Sequence, residues 1–140
     1  MSVEVRRTGP GDAALFERIA DDVFDYPVDL ATLAGYLAVP GHHLVVALAD
    51  GEVIGQAAAV VHRHPDERPV ELYIDELAVA PAFRRRGIAR LMLDELFALG
   101  RELGCDEAWV GTEHDNIAAT NLYASRNVPA EPFVMYVFAL

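Results

Sequence analysis

Cysteine is nearly absent. The 140-residue chain carries one, Cys105, so no intramolecular disulfide framework can form. Long apolar runs are missing too: none approaches the ~20 residues of a membrane span. The N-terminus, MSVEVRRTGPGD, lacks the apolar core of a signal peptide. There are no repeats, low-complexity tracts or interdomain linker, so one domain over residues 1–140 is expected. Positive charge is scarce, with 11 basic residues against 22 acidic ones and a formal charge of -11. That sign disfavours nucleic acid and anionic lipid; it suits a cationic partner, or serves solubility alone. Together these absences predict a cytoplasmic protein that binds neither membrane nor nucleic acid.

Apolar residues make up 53% of the chain, which predicts a packed globular fold. Val3–Arg6 reads as a short first strand. Gly9-Pro10-Gly11-Asp12 is a turn before a helix from Ala13 to Phe24, with Leu15, Ile19, Val23 and Phe24 at helical spacing. Asp29 is placed to cap a second short helix with Leu30, Leu33 and Leu37 on one face. HHLVVALA and EVIGQAAAVV flank Asp50-Gly51, the strongest hairpin signal in the chain. ELYIDELAV is a third long strand, ending at Pro81. Gly87–Leu103 is the clearest helix, with Ile88, Met92, Leu96, Leu99 and Leu103 in register and Gly104 as its stop. EAWVGT is a strand, Asn116–Ser125 a last helix and PFVMYVFAL a closing strand. The fold class is therefore α/β (α+β): a mixed, mostly antiparallel sheet with a central β-α-β crossover and helices on both faces.

The positive charge collects where a strand turns into the long helix, in RRRGIA (Arg84–Ala89). The first amides of a helix have no intrahelical partner, and with the helix dipole they favour an anion. Gly87 lets a phosphate approach the backbone closely. Arginines add charge and forked donors. Alone, the segment reads equally well as a solvated basic patch.

A second motif, NIAATNLY (Asn116–Tyr123), opens the next helix after a strand. The paired R-x-x-G-x-A and N-x-x-A-x-x-L-Y patterns, in this order, resemble the GNAT superfamily of N-acetyltransferases over nearly the whole chain. Within it, ELYIDELAV and the short tail are most similar to the gentamicin (aminoglycoside) 3-N-acetyltransferase branch. The resemblance implies acetyl-CoA as cosubstrate. It implies that the backbone of Arg84, Arg85, Arg86, Gly87, Ile88 and Ala89 grips the pyrophosphate. Leu77, Ala78 and Val79 would then receive the pantetheine arm as an added strand, with the amide of Leu77 or Val79 facing the thioester oxygen. Asn116 would meet the pantetheine, and Tyr123 would protonate the departing thiolate.

An amine must lose a proton to attack. Asp75, two residues before Leu77, is the first candidate base or cation-binding group, and Glu76 is the second. A bulge in this strand would change which of them faces the site. Glu71, Glu113 and His114 are further options, and any one of these groups can equally be a solvated surface group. The resemblance places the acceptor over the first helices, where Asp21, Asp22, Asp25 and Asp29 would suit a small-molecule amine. The alternatives are a protein N-terminal acetyltransferase and a non-catalytic acyl-CoA-binding module. After Tyr123 the family's usual glycine–aromatic pair is replaced by Asn127-Val128. The tail looks too short for two strands and a long loop, so a neighbouring subunit is a candidate to complete the site, and Met135–Phe138 is the candidate homodimer edge. His62-x-His64 with Asp66 has metal-like spacing but no further clear ligand, and no metal is expected there.

Overall fold

The computed structural model describes residues 2–140. Its strands are β1 (Glu4–Arg7), β2 (His42–Ala49), β3 (Glu52–His62), β4 (Glu71–Val79) and β5 (Glu107–Val110). Its helices are α1 (Leu30–Ala38), α2 (Ile88–Glu102) and α3 (Ile117–Ala124). The five strands form one sheet in the order β1-β2-β3-β4-β5. All neighbours are antiparallel except β4 and β5, which are parallel and are joined through α2. This is the mixed sheet with a β-α-β crossover that the pattern predicts.

Asp50 and Gly51 adopt φ of 49° and 75°. That left-handed pair is what a two-residue hairpin turn needs to match strand twist. β2 is buried from Leu44 to Ala49 on alternate sides, because helices cover both faces of the sheet. On one face α2 lays Met92, Leu93 and Leu96, all within 1% of full burial. Gly55 permits this approach: a Cβ there would stand 3.0 Å from Met92 Cε and 3.2 Å from the Ala78 carbonyl. On the other face α1 buries Leu33 and Leu37, and Tyr36 packs against the His42 ring at 4.8 Å. Asp29 caps α1, its carboxylate accepting from the Thr32 amide at 2.9 Å.

Two expected elements do not form. Between Ala13 and Phe24 there is only a 3-10 turn, Ala13–Glu17. Here β4 decides. Its pairing with β3 ends at Gly55, which leaves the flank of Val53 open. Arg18 and Ala20 fill that flank with backbone hydrogen bonds to Val53 of 2.9 Å each. The apolar spacing still serves, since Phe16 and Val23 are buried. The closing strand PFVMYVFAL is also not formed. Residues 128–140 have no strand pairing, and every residue from Phe133 to Phe138 is largely exposed. The composition favours a strand, but no edge within this chain receives it.

Candidate active site

α2 begins without a side-chain cap. Gly87 is its N-cap residue at φ 75°, ψ 10°, a left-handed conformation that suits glycine. The first intrahelical bond runs from the Leu91 amide to the Gly87 carbonyl at 3.1 Å. The amides of Ile88, Ala89 and Arg90 precede it and have no intrahelical acceptor. A Cβ on Gly87 would meet nothing within 4 Å, so the corner is open. The arginines are held around it by separate contacts. Arg84 Nε donates to the Val79 carbonyl at 3.1 Å. The Arg86 guanidinium lies 5.2 Å above the Phe83 ring. Arg85 takes φ 64°.

The strand that delivers this corner is only half paired. β4 and β5 are in register over Glu71–Ile74 and Glu107–Val110. β4 then continues alone on that side from Asp75 to Val79, so Leu77, Ala78 and Val79 lie beyond the end of β5. A parallel pair that parts in this way leaves backbone groups free to receive an amide-bearing chain.

Where the pair parts, β4 also bulges. Ala58 of β3 faces Glu76 and Ala59 faces Ile74, so Asp75 is the extra residue with no partner of its own. The bulge brings two successive carboxylates into one electrostatic neighbourhood. Tyr36 registers both: burial first, and then Asp75 and Glu76, push its phenol up to about 12. Burial lifts the Asp75 carboxyl above its ordinary value, against the pull of its own amide and of His42. Burial likewise lifts Glu76; Gln56 opposes the shift and Asp75 and Asp25 add to it.

Sequence reasoning missed Gln56. It is the buried polar residue of the core, 1% exposed. Its Nε2 donates to Glu76 Oε2 at 3.0 Å and reaches the Val23 carbonyl at 3.3 Å. One amide thus ties the Glu76 carboxylate to the acidic loop of Asp21, Asp22 and Asp25. The available signal was a lone amide in the apolar run VIGQAAAVV. Asp21, Asp22 and Asp25 line a concavity of about 260 Å³ with Tyr26. Asp29, grouped with them by sequence, is instead the cap of α1.

α3 is fixed to α2 by Arg126, which pairs with Asp94 at 2.5 Å, and by Arg90, which reaches Ser125 Oγ at 3.4 Å. Asn116 caps α3 through Oδ1, which accepts from the Ala119 amide at 3.1 Å. Tyr123 packs against the core cluster, and burial pushes its phenol above the ordinary value. Glu113 and His114 are exposed. Glu71 is drawn away from Asp75 and toward His62 and His64.

The site thus combines an uncapped helix N-terminus flanked by arginines with a strand that loses its parallel neighbour at a pair of carboxylates. The sequence profile of the acetyltransferase (GNAT) family matches residues 13–127, and the chain belongs to that family. It is 31% identical over 110 residues to an uncharacterized N-acetyltransferase in the pepI 3′ region of Lactobacillus delbrueckii subsp. lactis, covering 77% of this chain and 62% of that protein. The match thus spans less than two thirds of that relative's length. An aminoglycoside N(6′)-acetyltransferase type 1 of Salmonella typhimurium is 30% identical, over 70% of this chain and 71% of its own. The N-alpha-acetyltransferase RimI of Mycobacterium tuberculosis is 31% identical, over 87% and 70%. Among solved structures, an aminoglycoside acetyltransferase, HMB0005, from an uncultured soil metagenomic sample superposes with a TM-score of 0.83 at 26% identity, covering 100% of both chains. The Salmonella relative is of the 6′ type rather than the 3-N type that ELYIDELAV suggested. Among the described residues no helix is long and apolar enough to cross a membrane.

Proposed function

We propose that this protein moves the acetyl group of acetyl-CoA to a primary amine of a cationic small molecule, by direct attack in a ternary complex. The observation that carries this reading is the bulge at Asp75. It puts two successive carboxylates just before the unpaired side of Leu77–Val79, and Gln56 links Glu76 to the loop that carries Asp21, Asp22 and Asp25.

In this reading the amides from Arg85 to Ala89 hold the diphosphate, while the Arg84 amide is committed to the Pro81 carbonyl at 3.3 Å. The side of Leu77, Ala78 and Val79 that lacks a strand partner beyond β5 takes the pantetheine arm, and Asn116 meets that arm with its amide nitrogen. Asp75 or Glu76, directly or through a water, accepts the ammonium proton. The amine nitrogen then bonds to the thioester carbon, the carbon–sulfur bond breaks, and Tyr123 gives its proton to the thiolate. Burial keeps the Tyr123 phenol protonated, as a proton donor requires.

Turnover against a panel of aminoglycosides, polyamines and N-terminal peptides tests the reading. We expect acetylation of a polyamine or aminoglycoside, with Tyr123→Phe lowering kcat roughly 100-fold and leaving CoA affinity unchanged. Tight CoA binding with no turnover across the panel would instead make the chain a non-catalytic sensor. A protein α-amine is the second reading, favoured by the RimI likeness over 87% of the chain. Preference for peptides in the same panel would establish it.

A second copy completes the molecule in this reading. The tail passes the end of β5, where the Phe133 ring lies 3.4 Å from a Cβ built on Gly111. It then exposes Val134, Met135, Tyr136, Val137 and Phe138, while β5 keeps one edge free. Such a segment beside an open edge invites pairing with the same element of another chain. Sedimentation of the intact chain should give a dimer, and truncation after Pro132 a monomer. A monomeric intact chain would remove the dimer from the proposal.

A further inference from the structure

We propose that His62, His64 and Glu71 form a binding site for one divalent transition-metal ion of the zinc class. The sequence offers His62-x-His64 with Asp66 as a third group. In the fold Asp66 turns to Arg68, at 3.4 Å, and Glu71 comes in from the other side of the hairpin. β3 and β4 pair in register at His62 and Glu71, so strand pairing brings the third ligand to the two histidines.

The three groups converge on one point. His62 Nδ1 is 3.3 Å and His64 Nε2 is 3.2 Å from the same carboxylate oxygen, Glu71 Oε2. The three ligand atoms all lie within 4.8 Å of one another. Two ligands on a tetrahedral ion with bonds of ~2.0–2.1 Å stand ~3.4 Å apart, close to these two separations. The His64 side chain is 8% exposed, yet its Nε2 is buried with no hydrogen-bond partner. The carboxylate oxygen is near that nitrogen but off the line along which it donates. A buried imidazole nitrogen left in this state is costly, and an ion on its axis would resolve it.

The donor set selects the ion class. Two imidazoles and one carboxylate suit zinc, cobalt, nickel or copper, whereas calcium and magnesium require more oxygen ligands. Three protein ligands leave a fourth position for water. The His62 side chain is half exposed, which gives the ion an entry path. Glu71 precedes Asp75 by four residues, ~13 Å along a strand, so the site is separate from the transfer chemistry. Its effect would be to fasten the ends of β3 and β4 on either side of the 63–70 turn.

Trp109 supplies the readout. It is the single tryptophan of the chain, it stacks on Tyr73 at 4.3 Å, and it lies on β5 opposite Tyr73, in the same parallel pairing that begins at Glu71. Tag-free protein stripped with EDTA should bind ZnCl2 with 1:1 stoichiometry in calorimetry. CoCl2 should quench Trp109 fluorescence, and added ZnCl2 should reverse the quenching. His64→Gln and His62→Gln should each weaken binding at least roughly tenfold; MgCl2 should give neither heat nor quenching. His62 is half exposed, so its variant tests the site even if His64→Gln fails to fold. The proposal is overturned if the intact protein binds no ZnCl2, or if His62→Gln binds it as tightly as the parent. Either outcome is independent of acetyl transfer, because neither measurement uses a cosubstrate.

Discussion

Gly87→Glu should raise the dissociation constant for coenzyme A by roughly 30-fold. The residue sits at φ 75° with open space where a side chain would begin, so the glutamate fits sterically. Two effects remain. A non-glycine residue in a left-handed conformation costs roughly 1–2 kcal/mol of stability. The larger effect is electrostatic. The new carboxylate would lie at the mouth of the uncapped α2 amides, where the reading places a diphosphate. Two unit charges 4 Å apart at an effective dielectric of 20 repel by ~4 kcal/mol. Half of that, after solvent screening, still exceeds the ~1.4 kcal/mol of a tenfold change. Gly87→Asn separates the effects, since asparagine tolerates this backbone and is neutral. It should bind within roughly tenfold of the parent. Calorimetric titration with CoA decides: unchanged affinity in the glutamate variant would remove the diphosphate from this corner and the acyl-CoA reading with it.

The Asp75→Asn, Glu76→Gln double variant should lose activity and gain stability together. Loss of the proton acceptor should lower kcat for amine acetylation by roughly 100-fold or more. The stability effect follows from the direction of the two shifts. Burial raises both carboxyls in the folded protein, so the folded state holds these protons more tightly than the unfolded one. Their contribution to stability is present at low pH and is lost as pH rises through the folded values. Amides lose nothing over that range. The variant should therefore melt higher than the parent at pH 7, and the gap should narrow as pH falls toward the ordinary carboxylate range near ~4. The Gln56 amide nitrogen can still donate to the carbonyl oxygen of the substituted side chain, so the buried contact survives. Melting curves from pH 4 to pH 8 check the sign. A variant less stable than the parent at pH 7 would mean that the carboxylates support the fold instead of straining it. The single variants then show which carboxylate carries the rate.

Local chemistry was legible wherever one segment contains all the determinants of its own conformation. α2 begins at Ile88 and ends at Glu102, almost where the apolar spacing and the two flanking glycines put it. β2, β3 and β4 follow the apolar runs and the Asp50-Gly51 turn. The helix read over Ala13–Phe24 failed because Val53, thirty residues on, offers backbone partners that a helical period cannot announce. The strand read over PFVMYVFAL failed for the converse reason: strand composition is local, but pairing is not, and the segment does not pair with the open edge of β5.

By itself, then, the sequence determined most of the order of elements, the clustering of positive charge and glycine in RRRGIA and the acidic character of the molecule, because charge, glycine and periodicity act over a few residues. Tertiary structure decided the rest. The Ala58–Glu76 register created the bulge that puts Asp75 and Glu76 together, Gln56 joined Glu76 to the acidic loop, and the pairing of His62 with Glu71 replaced the ligand that spacing had suggested. Each of these is a meeting of side chains set by strand register, and register is fixed by how whole faces of the sheet are buried, not by neighbours in the chain.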